Sequence, residues 1–140
     1  MDIRRKLVST ALKWQRLFRV APGIMSALSE YDAALLAGCS EEDYSCFMQD
    51  NTAMSRGTDF VYAGKRYQVK GTRPGGKPGS TVTKVPKAAN YDWDYLIWIN
   101  YNTAYEIEEA WQWNVEDYKN AFDSLARLSP EDMRRGKKLK

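Results

Sequence analysis

Tyr95-Leu96-Ile97-Trp98-Ile99 is an unbroken apolar run of strand length. A strand with one wet face alternates apolar and polar residues, so this run predicts a central strand buried on both faces. A chain of 140 residues holds about one domain with a single core. The remaining segments supply the layers that would cover such a strand. Residues Ile3 to Phe18 carry Leu7, Leu12, Trp14 and Leu17 among basic residues, as an amphipathic helix does, and Ala21-Pro22-Gly23 ends it. Ile24, Leu28, Tyr31 and Leu35 predict a second helix that stops at Gly38. Ser40-Glu41-Glu42-Asp43 has the cap and acidic first turn of a further short helix.

The periodicity changes at Gly57. Asp59-Phe60-Val61-Tyr62 and Lys65-Arg66-Tyr67-Gln68-Val69-Lys70, separated by Ala63-Gly64, read as a β-hairpin. Residues 74 to 80, rich in Gly and Pro, read as a loop. Tyr105 to Trp113 alternates in part and predicts another strand, Val115 to Leu128 a helix, and Ser129-Pro130-Glu131-Asp132 the start of a short last one. The expectation is one α/β domain over 1–140, with a mixed sheet flanked by helices. Its N-terminal part, about 1–38, is helical, and 133–140 is a basic tail. No run approaches the ~20 apolar residues of a membrane span. Lys13 interrupts the short apolar stretch that follows Arg4, Arg5 and Lys6, which argues against a signal peptide. A cytoplasmic protein without a membrane partner is expected.

The chain has no histidine. That excludes Ser-His-Asp and Cys-His catalysis, His-ligated zinc hydrolases and imidazole acid–base chemistry. Cys39 and Cys46 have neither redox nor zinc-knuckle spacing. Catalysis, if any, rests on carboxylates, amides, lysine, tyrosine or a hard cation. Charge is uneven although the net is only +3: from Phe60 to Tyr91 there is no Asp or Glu, while Lys65, Arg66, Lys70, Arg73, Lys77, Lys84 and Lys87 fall in that window. A one-signed segment inside a nearly neutral chain points to a polyanion, or else to a solvated basic loop. Glu106, Glu108 and Glu109 read as acids on a solvated edge strand, and the tryptophans of the strands as core.

With a two-residue turn at Ala63-Gly64, facing residues have numbers that sum to about 127, so Asp59 faces Gln68, and Lys70 shares that face. A carboxylate, an amide oxygen and an ammonium on one patch suit metal-assisted phosphodiester hydrolysis. Mg²⁺ takes oxygen ligands and keeps several waters. Asp59, the Gln68 side-chain oxygen and the Val69 carbonyl are candidate ligands, and Lys70 would hold the attacking water and offset charge in the transition state. The competing reading is a surface Asp-Gln-Lys cluster stabilised by cross-strand pairing.

The stretch from Gly57-Thr58-Asp59 through Gln68-Val69-Lys70-Gly71-Thr72-Arg73 resembles the core hairpin of the restriction-endonuclease-like nucleases, the PD-(D/E)XK superfamily. In that family a G-x-D strand leads through a short turn to an apolar strand ending (D/E/Q)-x-K, often followed by a small and a basic residue. A glutamate on a preceding helix completes the family's site, and Glu30 stands where that residue would be. The likeness covers about Met25 to Ile99. It implies a restriction-endonuclease-like core in αβββαβ order with a four- to five-stranded sheet. The implied activity is a Mg²⁺-dependent DNA endonuclease, with Mn²⁺ able to substitute. Glu30, Asp59, Gln68 and Lys70 would be its catalytic residues, and Glu30 would join Asp59, Gln68 and Val69 on the metal. Thr58 replaces the family's proline, and Gln68 removes a negative charge where an acid is common. Arg66, Arg73, Lys77, Lys84 and Lys87 are expected to contact DNA phosphates. Cutting both strands with one site per chain would require a homodimer or a higher homo-oligomer. With the charge deficit at Gln68, the same fold could instead be a DNA-binding module of a defence or recombination complex.

Overall fold

A computed structural model describes residues 2–50 and 58–140; Gly57, where the family-like stretch begins, lies outside them. The elements follow as α1 (Ile3–Phe18), α2 (Met25–Leu36), α3 (Glu41–Asp50), β1 (Phe60–Tyr62), β2 (Lys65–Thr72), β3 (Tyr95–Tyr101), β4 (Ile107–Asn114), α4 (Val115–Phe122), α5 (Pro130–Met133) and β5 (Lys137–Lys138). The strands form one mixed sheet in the order β1-β2-β3-β4-β5. Only β2 and β3 pair in parallel; the other pairs are antiparallel.

β3 is the doubly covered strand. Ile97, Ile99 and Tyr101 enter a core with Leu28, Ala33 and Ala34 of α2. Leu96 and Trp98 enter a second core with Trp93, Trp113, Tyr118 and Phe122. All five β3 side chains are fully buried. The aromatic rings of the second core meet mostly edge to face, Trp113 and Phe122 with centroids 4.7 Å apart; each such pair adds about 0.5–1.5 kcal/mol beyond area burial.

The hairpin has the register that a two-residue turn dictates: Tyr62 pairs with Lys65 and Phe60 with Tyr67. Ala63 (φ 52°) and Gly64 (φ 75°) both lie in the left-handed region, the signature of a type I′ turn, whose twist matches the strands it joins.

Three expectations are corrected. The αβββαβ order holds through one helix and three strands only, because β4 follows β3 without an intervening helix. The Asn102 side chain accepts from the amides of Ala104 and Glu106, and this tight turn sends the chain straight back antiparallel. The helix expected to run to Leu128 stops at Phe122. Its C-terminal segment is diverted as the Val85 amide bonds the Leu128 carbonyl at 3.0 Å and Lys87 Nζ donates to the carbonyls of Asp123 and Leu125. Residues 137–138 join the sheet as β5, where a basic tail was expected. Gly136 permits this, since a Cβ there would stand 2.7 Å from the Gln112 carbonyl oxygen. Among the described residues no helix is long and apolar enough to cross a membrane.

α1 is tied to the rest by a buried ionic cluster. Arg4 grips Asp32 of α2 with two bonds of 2.7 and 2.8 Å and donates to the Tyr105 carbonyl. The Tyr101 hydroxyl donates to the same carboxylate at 2.7 Å, and burial beside that charge raises the Tyr101 pKa. Asp32 is 5% exposed. Removing one partner of a buried pair strands the other, at a cost of about 3–5 kcal/mol. Asp32→Ala is expected to lose that much stability, measured as a fall in the urea midpoint at an unchanged slope.

Candidate active site at the free edge of β2

β1 is only three residues long, so from Gln68 onward the outer edge of β2 pairs with no strand among the described residues. Asp59 stands just before β1 begins. Its amide donates to the Tyr67 carbonyl at 2.7 Å, and its carboxylate turns inward to accept the Val69 amide at 2.7 Å. In a strand one residue's amide and carbonyl point the same way, so the Val69 carbonyl also faces this edge. Thr58, buried, donates its hydroxyl to the Asp92 carbonyl at 3.2 Å and so anchors the chain just before Asp59.

Gln68 and Lys70 project from the face of β2 opposite Val69, by strand parity. Neither makes a side-chain hydrogen bond among the described residues. Glu30 arrives from α2, which covers the other face. The site thus wraps the sheet edge: Asp59 lies along it, Glu30 comes from one side, and Gln68 and Lys70 from the other. All of them, with Val69, line one cleft of about 290 Å³. Gly71 sets the depth of α2. A Cβ there would stand 2.8 Å from Ser29 Cβ and 3.2 Å from Met25 Sδ, closer than packed atoms tolerate, and Ser29 precedes Glu30.

The two carboxyl groups share a hydrogen bond and perturb each other. Burial, then the Asp59 charge, then that bond push the Glu30 pKa up to about 7. Burial also raises Asp59, offset in part by the Val69 amide, the Glu30 bond and the charge of Lys70. Tyr44 of α3, which the sequence did not single out, is pushed up to about 12 by burial and by the charges of Glu30 and Asp59. It is therefore a neutral phenol beside the site.

No family model and no curated protein matches this chain. Its chemistry is read from the geometry.

No group of three or more His, Cys, Asp or Glu side chains is placed to hold a metal ion among the described residues. A cation in this cleft would draw on two carboxylates, the Gln68 amide oxygen and the Val69 carbonyl, with water and substrate completing its shell. That all-oxygen set suits Mg²⁺ or Mn²⁺ and not a thiophilic ion.

Two grooves continue from the cleft. One, about 640 Å³, shares Gly71 and Pro86 with it and carries Lys84, Lys87 and Arg127. The next, about 530 Å³, is joined through Arg73 and adds Lys77 and Arg16. No Asp or Glu lines either groove. Lys87 is bound to carbonyls. The Arg73 guanidinium lies 3.9 Å over the Tyr105 ring and donates to Gln15 and to the Thr103 carbonyl. These partners are neutral, so both residues keep their charge in the grooves. Arg66 is placed elsewhere: at the turn end of β2 it pairs with Asp94 at 3.3 Å, and the guanidinium lowers that carboxyl's pKa. Arg16 and Arg127 were not found from sequence. Arg127 comes near only because Leu128 bridges to Val85, and no local pattern announces that.

Glu109 also departs from expectation. It is no solvated edge acid but accepts two bonds from Arg134, of 2.8 and 2.7 Å, and one each from Trp111 and Asn100. Arg134 above all lowers its pKa to about 2. It is a structural ion pair on β4.

A pH dependence follows for the metal-free protein. Glu30 keeps its proton in the folded state up to about 7, against 4.5 ordinarily, so the folded state binds more protons and stability falls as pH rises through that window. Glu30→Gln removes the effect. In EDTA at pH 8 it is expected to melt above the wild type, with the gap closing by pH 4, as thermal unfolding at both pH values would show.

Proposed function

We propose that this chain is a metal-dependent endodeoxyribonuclease. One observation carries the reading: two half-buried carboxyl groups meet beside a lysine at the edge of β2, in a cleft that opens into acid-free basic grooves. Such a pair costs the fold stability once both groups ionise, and a cation between them would relieve that cost, which marks a site kept for function.

Glu30, Asp59, the Gln68 amide oxygen and the Val69 carbonyl would hold magnesium, or manganese in its place. When bound, the ion supplies positive charge at the scissile phosphate and acidifies a neighbouring water. The protein's own groups do the positioning. The Val69 amide fixes the carboxylate of Asp59 so that one oxygen remains directed into the cleft. Lys70 projects from the same face as Gln68, where its ammonium orients the attacking water and offsets the charge that grows on the phosphoryl oxygens. Lys84, Arg127, Arg73 and Lys77 hold successive backbone phosphates, which gives affinity without sequence readout.

The neutral Gln68 favours one competitor, a DNA-binding module of the same build that does not cut. Supercoiled plasmid incubated with Mg²⁺, Mn²⁺ or EDTA separates the two. Nicking or linearisation is expected with either metal and none in EDTA, slowed by about 100-fold or more in Lys70→Ala and Asp59→Ala. Cleavage that survives in both variants, or in EDTA, would overturn the assignment. Binding without cleavage under every metal would establish the module instead.

A further inference from the structure

The C-terminal end of α1 carries a patch that the candidate site does not use. Trp14, Leu17, Phe18 and Val20 are 49%, 66%, 58% and 66% exposed. Leu17 and Phe18 follow Trp14 by three and four positions and so share its side of the helix. The Trp14 and Phe18 rings lie 4.7 Å apart, and Val20 stands just beyond the helix end. Exposed apolar residues scattered singly need no explanation, but several side by side mark an interaction surface. Gln15 and Arg16, in contrast, line the nearer basic groove. Arg16 is two positions from both Trp14 and Phe18, which places it roughly 160° around the helix from each. The patch therefore faces away from that groove, and none of its residues lines the cleft.

The charges around the patch have one sign. Lys13, Arg16 and Arg19 are exposed among its residues, and no Asp or Glu occurs from Ile3 to Ser29. The exposed acids Glu41, Glu42 and Asp43 open α3. Burial, then the charges of Glu41 and Asp2, raise the Tyr31 pKa, so Glu41 and Asp2 stand toward the end of α1 that Arg4 ties to Asp32. From Arg4 to Phe18 the helix runs about 20 Å, well beyond the ~8 Å over which exposed charges act at physiological salt. α1 thus ends in a tip that is both apolar and cationic.

A nucleic acid would use the cations and the rings but would leave Leu17 and Val20, the two most exposed residues of the patch, without a partner. A protein interface has a polar rim, and here the rim carries positive charge alone. An anionic bilayer takes every part of the tip: aliphatic and aromatic side chains enter at the headgroup boundary, tryptophan prefers that depth, and cations meet the lipid headgroups. We propose that the tip of α1 docks this chain on an anionic membrane surface, with Trp14, Leu17, Phe18 and Val20 inserted and Lys13 and Arg19 on the headgroups. Such a contact needs no spanning segment, and the lack of one was the ground for expecting no membrane partner. The docking does not depend on the nuclease reading. If that reading is right, the grooves stay open, because Arg16 faces them from the other side of the helix.

The test mixes the full chain, in EDTA, with vesicles of phosphatidylcholine alone or with phosphatidylserine added, and reads co-sedimentation and tryptophan emission. Trp14 is the tryptophan most open to solvent, since Trp93, Trp98 and Trp113 are buried and Trp111 is half-buried. Insertion is expected as a blue shift on the phosphatidylserine vesicles, absent in Trp14→Phe although that variant still binds. Binding should be about tenfold or more stronger with phosphatidylserine than without. Leu17→Ser with Phe18→Ser, and separately Lys13→Gln with Arg19→Gln, should each weaken it by a similar factor, with far-ultraviolet circular dichroism unchanged because all four side chains are exposed. No binding to phosphatidylserine vesicles overturns the proposal, as does equal binding to both vesicle types. Co-sedimentation that brings no emission shift, or that survives Leu17→Ser with Phe18→Ser, is attachment through the basic grooves and overturns it too. An emission shift with single-stranded DNA and with neither vesicle would give the tip to a nucleic acid instead.

Discussion

The approach of α2 to the backbone of β2 at Gly71 governs both halves of this molecule. With only a hydrogen on that residue, Ser29 sits against the strand, α2 sinks onto the sheet, and its inner residues Leu28, Ala33 and Ala34 close the first core. The same depth delivers Glu30 to the strand edge where Asp59 waits. A methyl group at that point would have to displace the helix or the strand, and overpacking of this kind costs about 1–3 kcal/mol. Packing and site geometry are here one constraint, because the residue that fills the core and the residue that lines the cleft are neighbours on one helix.

How much of this was legible in the sequence depends on the range over which each signal acts. The central strand was legible because a continuous apolar run has one economical fate. The hairpin register was legible because a two-residue turn leaves a single way to pair Tyr62 with Lys65 and Phe60 with Tyr67, and the type I′ dihedrals of Ala63 and Gly64 keep it. The grouping of Asp59, Gln68 and Lys70 followed from that register. The placing of Glu30 beside them came from resemblance, since nothing local to α2 says which strand it will cover. What escaped the sequence was non-local. β5 forms because β4 presents an unpaired edge and Gly136 lets the chain approach it. Glu109 looked like a solvated acid because its partner Arg134 lies 25 positions away. One refinement was also invisible: the Asp59 carboxylate does not stay on the face of its strand but turns into the sheet edge to meet the Val69 amide.

Charge is organised by layer. The acid-free connection between β2 and β3 lays its cations into two joined grooves that lead to the cleft, while the helical layer separates positive from negative across its width. The first arrangement suits a long polyanion held by its backbone, in keeping with the proposed activity. Arg66 and Arg134, by contrast, are neutralised by Asp94 and Glu109 and belong to the frame.

The brevity of β1 has another consequence. A strand edge without a neighbour is a template on which other chains can pair. The carboxylate of Asp59, by taking the Val69 amide, withdraws one of the donors such pairing would need and sets a negative charge in its path. The residue that marks the cleft is thus also a guard on the sheet, and a molecule stripped of it presents a zipper with its first tooth exposed.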